Sequence, residues 1–467
     1  MGTTMVDCVL INSPDDLYSE HYLADPKIPL GLVYIASYLR SHGVSVVIID
    51  CHAQKHTLDE LVQIVKNNQP YLVGLNITTP NRRVVYKIAE RIKEEAAPPA
   101  VIIGGPHASC LPEDVFKNAP HIDGLVMGEG EEIIYKVLQS LPRIESFPGF
   151  YTRAADPSIR RLAPRIVDLD SLPLPAYDLI DVRRYAAVSP ELYVASSRGC
   201  RYDCAFCCSR VLLGRQVIFR SHTNVVEEMA LLKNRYGIDS FYFYDDNILI
   251  WPELEDFCIK MSNVGIQWTA QATMNDLHLD MIPLLSSARC YRLSFGLESG
   301  SLAIQKYVGK VIKPDAAKKI ARLLEYGVSS RAFFVIGFPN ETIHDIAETA
   351  KYIVELRASG LADIAIFPAR PFPGTRLFHD CIGIHGDGKL ESILEFQYLE
   401  DYKDQSDPRI NAKLHRYNTI PSFQISRYFD SLEIRRMIKT LYDIFYNYTQ
   451  FVGMSSDELT SYLLSKG

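Results

Sequence analysis

The stretch LYVASSRGCRYDCAFCCSR, residues 192–210, decides how this chain is read. It opens on an apolar run, LYVASS, that reads as a strand. It passes at once into a loop with four cysteines in nine positions: Cys200, Cys204, Cys207 and Cys208. The remaining cysteines (Cys8, Cys51, Cys110, Cys258, Cys290 and Cys381) are scattered in or near apolar segments, where a buried free thiol is ordinary. One dense cluster favours metal or redox chemistry over a disulfide framework. The spacing Cys200-x3-Cys204-x2-Cys207 supplies three ligands. Structural zinc usually takes four, often as two separated pairs. No second cysteine pair follows, and His107, His121 and His222 lack a paired spacing. A [4Fe–4S] cluster normally takes four thiolates, so three would leave one iron open to bind and activate something. Cys200-x3-Cys204-x3-Cys208 is the competing register. The spacing alone leaves both registers open.

Working outward, the 467 residues allow two or three domains, and 47% hydrophobic with 22% charged residues is a globular composition. A net charge of −7 argues against a nucleic-acid partner held by a general positive field. No apolar run reaches the ~20 residues of a membrane span. The start MGTTMVDCVLINSP has no leader-like pattern and fits the myristoylation signal poorly. These features lead to the expectation of a cytoplasmic protein.

Residues 1–145 alternate strand runs (VDCVLIN, VSVVIID, YLVGLNI, AVIIGG, DGLVMG) with helical runs such as IPLGLVYIASYLRSHG and TLDELVQIVKNNQ. Thr57 with Glu60 fits a capping box, and Gly43 fits a helix end. The alternation predicts an α/β fold with a parallel sheet and helices on both faces. Ligands of such sheets sit at the carboxyl ends of the strands, where ITTPN, GGPHAS and GEGEE fall. Residues 146–190, with closely spaced prolines, read as an extended linker. Residues 191–384 return to alternation through SFYFYDDNIL, IQWTAQAT, YRLSFGLESG, RAFFVIGFP and ADIAIFPAR. Six βα-like units in series predict a partial barrel. Residues 385–467 are richer in helical pattern.

The C-x3-C-x2-C loop after a first barrel strand resembles the signature of the radical S-adenosylmethionine (SAM) superfamily, which implies Cys207 as the third ligand and Cys208 as the extra residue. Phe206 matches the aromatic usual before the third cysteine, near the adenine. FGLESGS resembles the ribose motif, with Glu298 and Ser299 implied to bond the ribose or the methionine amino group. VIGFPNET resembles the adenine motif, with Gly337 and Pro339 implied to let backbone approach the ring. ARPFPGT resembles the end of the sixth strand. The resemblance implies SAM chelated to the open iron and cleaved by one electron to a 5′-deoxyadenosyl radical, with an external reductant such as flavodoxin or ferredoxin. Asp246, Gln271 and Arg370 stand at strand ends as candidate catalytic or substrate-facing residues. The ordinary alternative makes Glu298 a helix-start acid and Gly337 a turn glycine.

The N-terminal region resembles the cobalamin-binding, flavodoxin-like (Rossmann-like) domain of a radical SAM subclass. On that resemblance Thr78, Thr79, Gly104, Gly105, Gly128 and Glu129 line the pocket for the corrinoid's nucleotide tail. The motif D-x-H-x-x-G is incomplete: Asp50 and His52 are present, but Lys55 stands where Gly belongs. Cobalamin bound without His ligation and a vestigial domain therefore both stay open. The implied function is cobalamin-dependent methylation of a small molecule in secondary metabolism. The alternatives are a radical dehydration, epimerisation, cyclisation or rearrangement without methyl transfer, and a non-catalytic corrinoid or iron–sulfur sensor.

Overall fold

The computed structural model describes residues 5–14, 27–189, 191–385, 390–394, 396–398, 407–416, 419–421 and 425–466. The initial Met-Gly and parts of the expected helical region 385–467 lie outside the described residues.

Six short runs build the first sheet: Cys8–Asn12 (β1), Val46–Asp50 (β2), Leu72–Asn76 (β3), Ala100–Gly104 (β4), Gly124–Val126 (β5) and Phe150–Tyr151 (β6). Helices cover both faces, so the strands are continuously apolar; β1 is buried along its whole length. The order is β2-β1-β3-β4-β5-β6. The first five strands run parallel in the flavodoxin-like order. The order reverses between β1 and β3, which opens a crevice at their carboxyl ends. The capping box at Thr57 and Glu60 starts the helix Leu58–Asn68, as the spacing predicts.

The segment 146–190 differs from an extended linker. β6 pairs antiparallel with β5 and closes the sheet edge. Tyr177, Val182 and Tyr185 are buried in the core. Its strand, three 3₁₀ turns and one helix (Val182–Val188) are each too short to show a period, so they escape a reading by periodicity.

The second sheet contains Leu192–Val194 (β7), Ser240–Phe243 (β10), Gln267–Ala272 (β11), Cys290–Glu298 (β12), Ser329–Ile336 (β13) and Asp363–Pro368 (β14). Between β7 and β10, Ser197–Arg198 (β8) and Ile218–Phe219 (β9) form a small antiparallel ribbon. Sequential strands neighbour each other in the order β14-β13-β12-β11-β10-β7, all parallel. This is the expected six-stranded partial barrel, open between β7 and β14. Leu293, Phe295, Ala332, Phe334, Ile364 and Ile366 face the helices within one hydrophobic core. Alternate residues therefore face the lumen.

The carboxyl ends of the two sheets meet. The helix Pro106–Cys110, after β4, packs against Ser209–Leu213 in the cysteine region. Arg82 donates to the Leu394 carbonyl at 2.9 Å. Arg220 donates to the Tyr34 hydroxyl at 2.9 Å and pairs with buried Glu228, which also accepts from Tyr177. The helix Ser431–Tyr446 lies against the barrel, and the Tyr442 hydroxyl accepts from the Ile366 N–H at 2.9 Å. Among the described residues no helix is long and apolar enough to cross a membrane.

Candidate active site

The ribbon of β8 and β9 ties off the loop that carries the cysteines. Gly199, at φ 112°, enters that loop where a Cβ would stand 2.6 Å from the Gln216 carbonyl oxygen, so only glycine fits. Buried Asp245 accepts from the Ser196 N–H at 3.0 Å and from the hydroxyls of Ser196 and Ser197. This carboxylate fixes where the loop leaves β7.

Cys200, Cys204 and Cys207 lie close enough for each to feel another's charge. Burial pushes the Cys200 thiol up to about 11 and Cys204 up to about 12, while the Lys310 ammonium pulls both down. Lys310 Nζ sits 3.0 Å from Glu298 Oε1, with both side chains under 10% exposed. A Cβ on Gly296 would fall 2.9 Å from that Nζ, so glycine makes room for the pair. Cys208 lies within the field of Cys110, from the N-terminal domain, and of Cys207. Among the described residues no three His, Cys, Asp or Glu side chains form a single-ion site. A four-iron cluster makes a different demand, because each thiolate ligates a different iron. Three mutually close thiols with a buried cation beside them fit such a cluster.

The implied SAM residues gather around this loop. Phe206 packs 6.1 Å from Phe338, between Gly337 and Pro339. Glu298 adopts φ 65° where the β12–β13 register shifts, a conformation that non-glycine residues rarely hold without a functional reason. Two residues do less than their motif implies. Ser299 is committed internally, to Thr349 at 3.0 Å and to the Ser301 N–H. The space at Gly337 is filled by Ile434, 3.0 Å from a built Cβ. Glu341 accepts from the Gly337 and Phe338 N–H groups and so shapes this turn; burial pushes its carboxyl up to about 8.

Asp246 accepts from the Ser209 hydroxyl at 2.8 Å. Burial, with Asp245 behind it, pushes its carboxyl up to about 6; Cys200 and Cys207 are within its field. Gln271 faces the lumen beside the Tyr242 phenol. Arg370 is half-buried just beyond β14.

The N-terminal candidates divide differently. Gly105, at φ 125°, has the Ile77 carbonyl oxygen 2.6 Å from a built Cβ. Gly104 abuts Val126, and Gly128 abuts Ala163. Thr78 donates its N–H to Asn81, and Thr79 bonds buried His107. Glu129 is not presented to a pocket: it is buried, pairs with Arg198 at 2.9 Å and Arg165 at 3.3 Å, and accepts from the Ile166 N–H. Arg198 also holds Glu131 at 2.6 Å. These contacts lock the domains together.

The crevice itself is built by residues the sequence reading passed over. Asn12 donates to Asp50 at 2.9 Å, Asn76 donates to Asn12 at 2.9 Å, and the Ser13 N–H donates to Asn76 at 2.7 Å. Ser13 Oγ and Asp50 Oδ2 are buried with no hydrogen-bond partner among the described residues. A donor and an acceptor left open at a strand switch point fit a polar cofactor. Lys55 holds φ 54°, the left-handed conformation that the missing glycine of the motif would supply. His52 Nε2 lies 2.9 Å from the Ser13 carbonyl. The signal was legible in principle: the apolar runs of β1, β2 and β3 end in Asn, Asp and Asn. Lys310 and Arg198 were likewise passed over; the Glu129 partner of Arg198 is 69 positions away in the chain.

Residues 24–138 match the B12 binding domain family, and residues 194–353 match the Radical SAM superfamily. An uncharacterised methyltransferase of Pyrococcus horikoshii is 30% identical over 455 residues, covering 94% of this chain and 92% of that protein. The cytidylyl-2-hydroxyethylphosphonate methyltransferase of Streptomyces wedmorensis is 26% identical, covering 84% of this chain and 85% of its own. Among solved structures, the radical SAM methyltransferase TsrM of Kitasatospora setae, with cobalamin and a [4Fe–4S] cluster bound, superposes with a TM-score of 0.67 at 16% identity. It covers 90% of this chain and 81% of that one.

Proposed function

Because this chain belongs to the radical SAM superfamily and carries a B12-binding domain ahead of the radical domain, we propose that it methylates a small molecule at the junction of the two domains. The bound cofactors supply one chemistry between them: one-electron cleavage of SAM to a 5′-deoxyadenosyl radical, and a methyl group carried on cobalamin.

The chain's own residues prepare the place. Cys200, Cys204 and Cys207 hold the cluster. Lys310 offsets negative charge beside it, and the Glu298–Lys310 pair offers an acid and a base to the two charged ends of the methionine portion of SAM. Phe206 and the turn 337–339 that Glu341 shapes flank the adenine. Asn12, Ser13, Asp50 and Asn76 edge the crevice that takes the corrinoid, with Thr78, Thr79 and Gly104 nearby. Asp246, its carboxyl pushed up to about 6 by burial, takes or gives a proton at the barrel mouth. An electron donor of flavodoxin or ferredoxin type and a cytoplasmic setting belong to the same reading.

The observation that carries the proposal is the meeting of the two strand-carboxyl faces, Pro106–Cys110 on Ser209–Leu213, with Cys208 beside Cys110. That meeting supports a reading in which radical formation and methyl delivery share one space. With the true substrate and deuterated-methyl SAM, the expected outcome is labelled product, with 5′-deoxyadenosine and S-adenosylhomocysteine released in equal amounts. Unlabelled product formed without corrinoid would establish a radical rearrangement instead.

A further inference from the structure

The lumen of the barrel has aromatic walls and an unsatisfied polar floor. On one wall Tyr193 lies 5.1 Å from Tyr242 and 5.8 Å from Tyr244, ring centre to ring centre. On the far wall Phe333 and Phe367 meet edge to face at 6.0 Å. Tyr244 is 57% exposed, and its ring stands edge-on to Tyr193 at the open end of that wall. The floor lies between these walls. Ser294 pairs in register with Gln271, and Thr269 precedes Gln271 by two residues on the same face of β11. Thr269 is 0% and Ser294 1% exposed, and neither hydroxyl has a hydrogen-bond partner among the described residues. Burying a hydroxyl without a partner is costly, so two adjacent cases facing one lumen need explaining.

Aromatic walls take flat rings by stacking and edge contact. Orphan hydroxyls backed by an amide suit ring nitrogens, ring N–H groups or exocyclic oxygens. An aliphatic substrate would leave both features unused. We propose that the barrel lumen receives a planar heteroaromatic substrate, its faces against the Tyr244 and Phe333 walls and its polar edge on Thr269, Ser294 and Gln271. This deepens the reading above and rests on it, since the ring would stand below the cysteine loop.

The test uses the anaerobically reconstituted full chain, saturated with S-adenosylhomocysteine so that the adenine subsite is closed. The probes are indole and, as a non-aromatic control, cyclohexylmethanol, each titrated by saturation-transfer NMR. Indole should bind the more tightly. Tyr244→Leu and Phe333→Leu should each weaken indole about fivefold, with iron content and S-adenosylhomocysteine affinity unchanged. Tyr244→Phe, which keeps the ring, should bind nearly as the parent. Equal binding of the two probes by the unaltered protein overturns the proposal without reference to any variant. So does undiminished indole binding by both Leu variants. Methyl transfer plays no part in this readout, so failure here and failure of the methyl-label experiment are separate results.

Discussion

The carboxyl-end faces of the two sheets were both marked by sequence motifs, and the motifs mean different things in each. In the barrel the marked residues are thiols and an acid: Cys200, Cys204, Cys207 and Glu298. They converge with Lys310 beside the lumen. In the N-terminal sheet half of the marked residues are glycines, and they make room for the protein itself: Gly105 for Ile77, Gly104 for Val126, Gly128 for Ala163. A thiol or a carboxylate carries the chemistry of its contact. A glycine records only that something comes close.

The sharpest way to break this comparison is through the cysteines. Replacing Cys200, Cys204 or Cys207 by Ala should remove nearly all cluster iron after anaerobic reconstitution, whereas Cys208→Ala should keep it. Iron retained by Cys207→Ala and lost by Cys208→Ala would reverse the register, and the contrast between Cys207 and Cys208 with it.

Next in size is the buried pair. Lys310→Met leaves Glu298 buried without its cation, and should cost about 3–5 kcal/mol in denaturant unfolding. SAM binding should weaken as well. The double variant Lys310→Met, Glu298→Gln should recover most of the stability without recovering SAM affinity. Recovery of both would reduce the pair to a packing feature, like the glycines opposite.

The smallest effect is expected at Gly105. Its φ of 125° and the 2.6 Å approach to the Ile77 carbonyl oxygen mean that Gly105→Ala should lower stability by about 1–3 kcal/mol. Cobalamin stoichiometry at saturation should stay unchanged. Loss of corrinoid without loss of stability would restore Gly105 to the ligand pocket and erase the difference between the two faces.

The amino-acid order alone determined the class of each half. Apolar runs alternating with helical runs of regular length dictate parallel βα packing, and ligand chemistry written in three neighbouring thiols survives any detail of packing. It did not determine the segment 146–190, whose short elements leave no period to read, nor the antiparallel edge strand β6. Tertiary structure alone decided which groups are left over for a ligand. Glu129 looked like a pocket residue until Arg198, 69 positions away, was brought to it by the docking of the domains. Ser13 Oγ, Asp50 Oδ2, Thr269 Oγ1 and Ser294 Oγ stand out only because the fold buries them and supplies no partner. Strand identity depends on local patterns of hydrophobicity. The balance of donors, acceptors and charges at a site depends on neighbours that distant parts of the chain bring together.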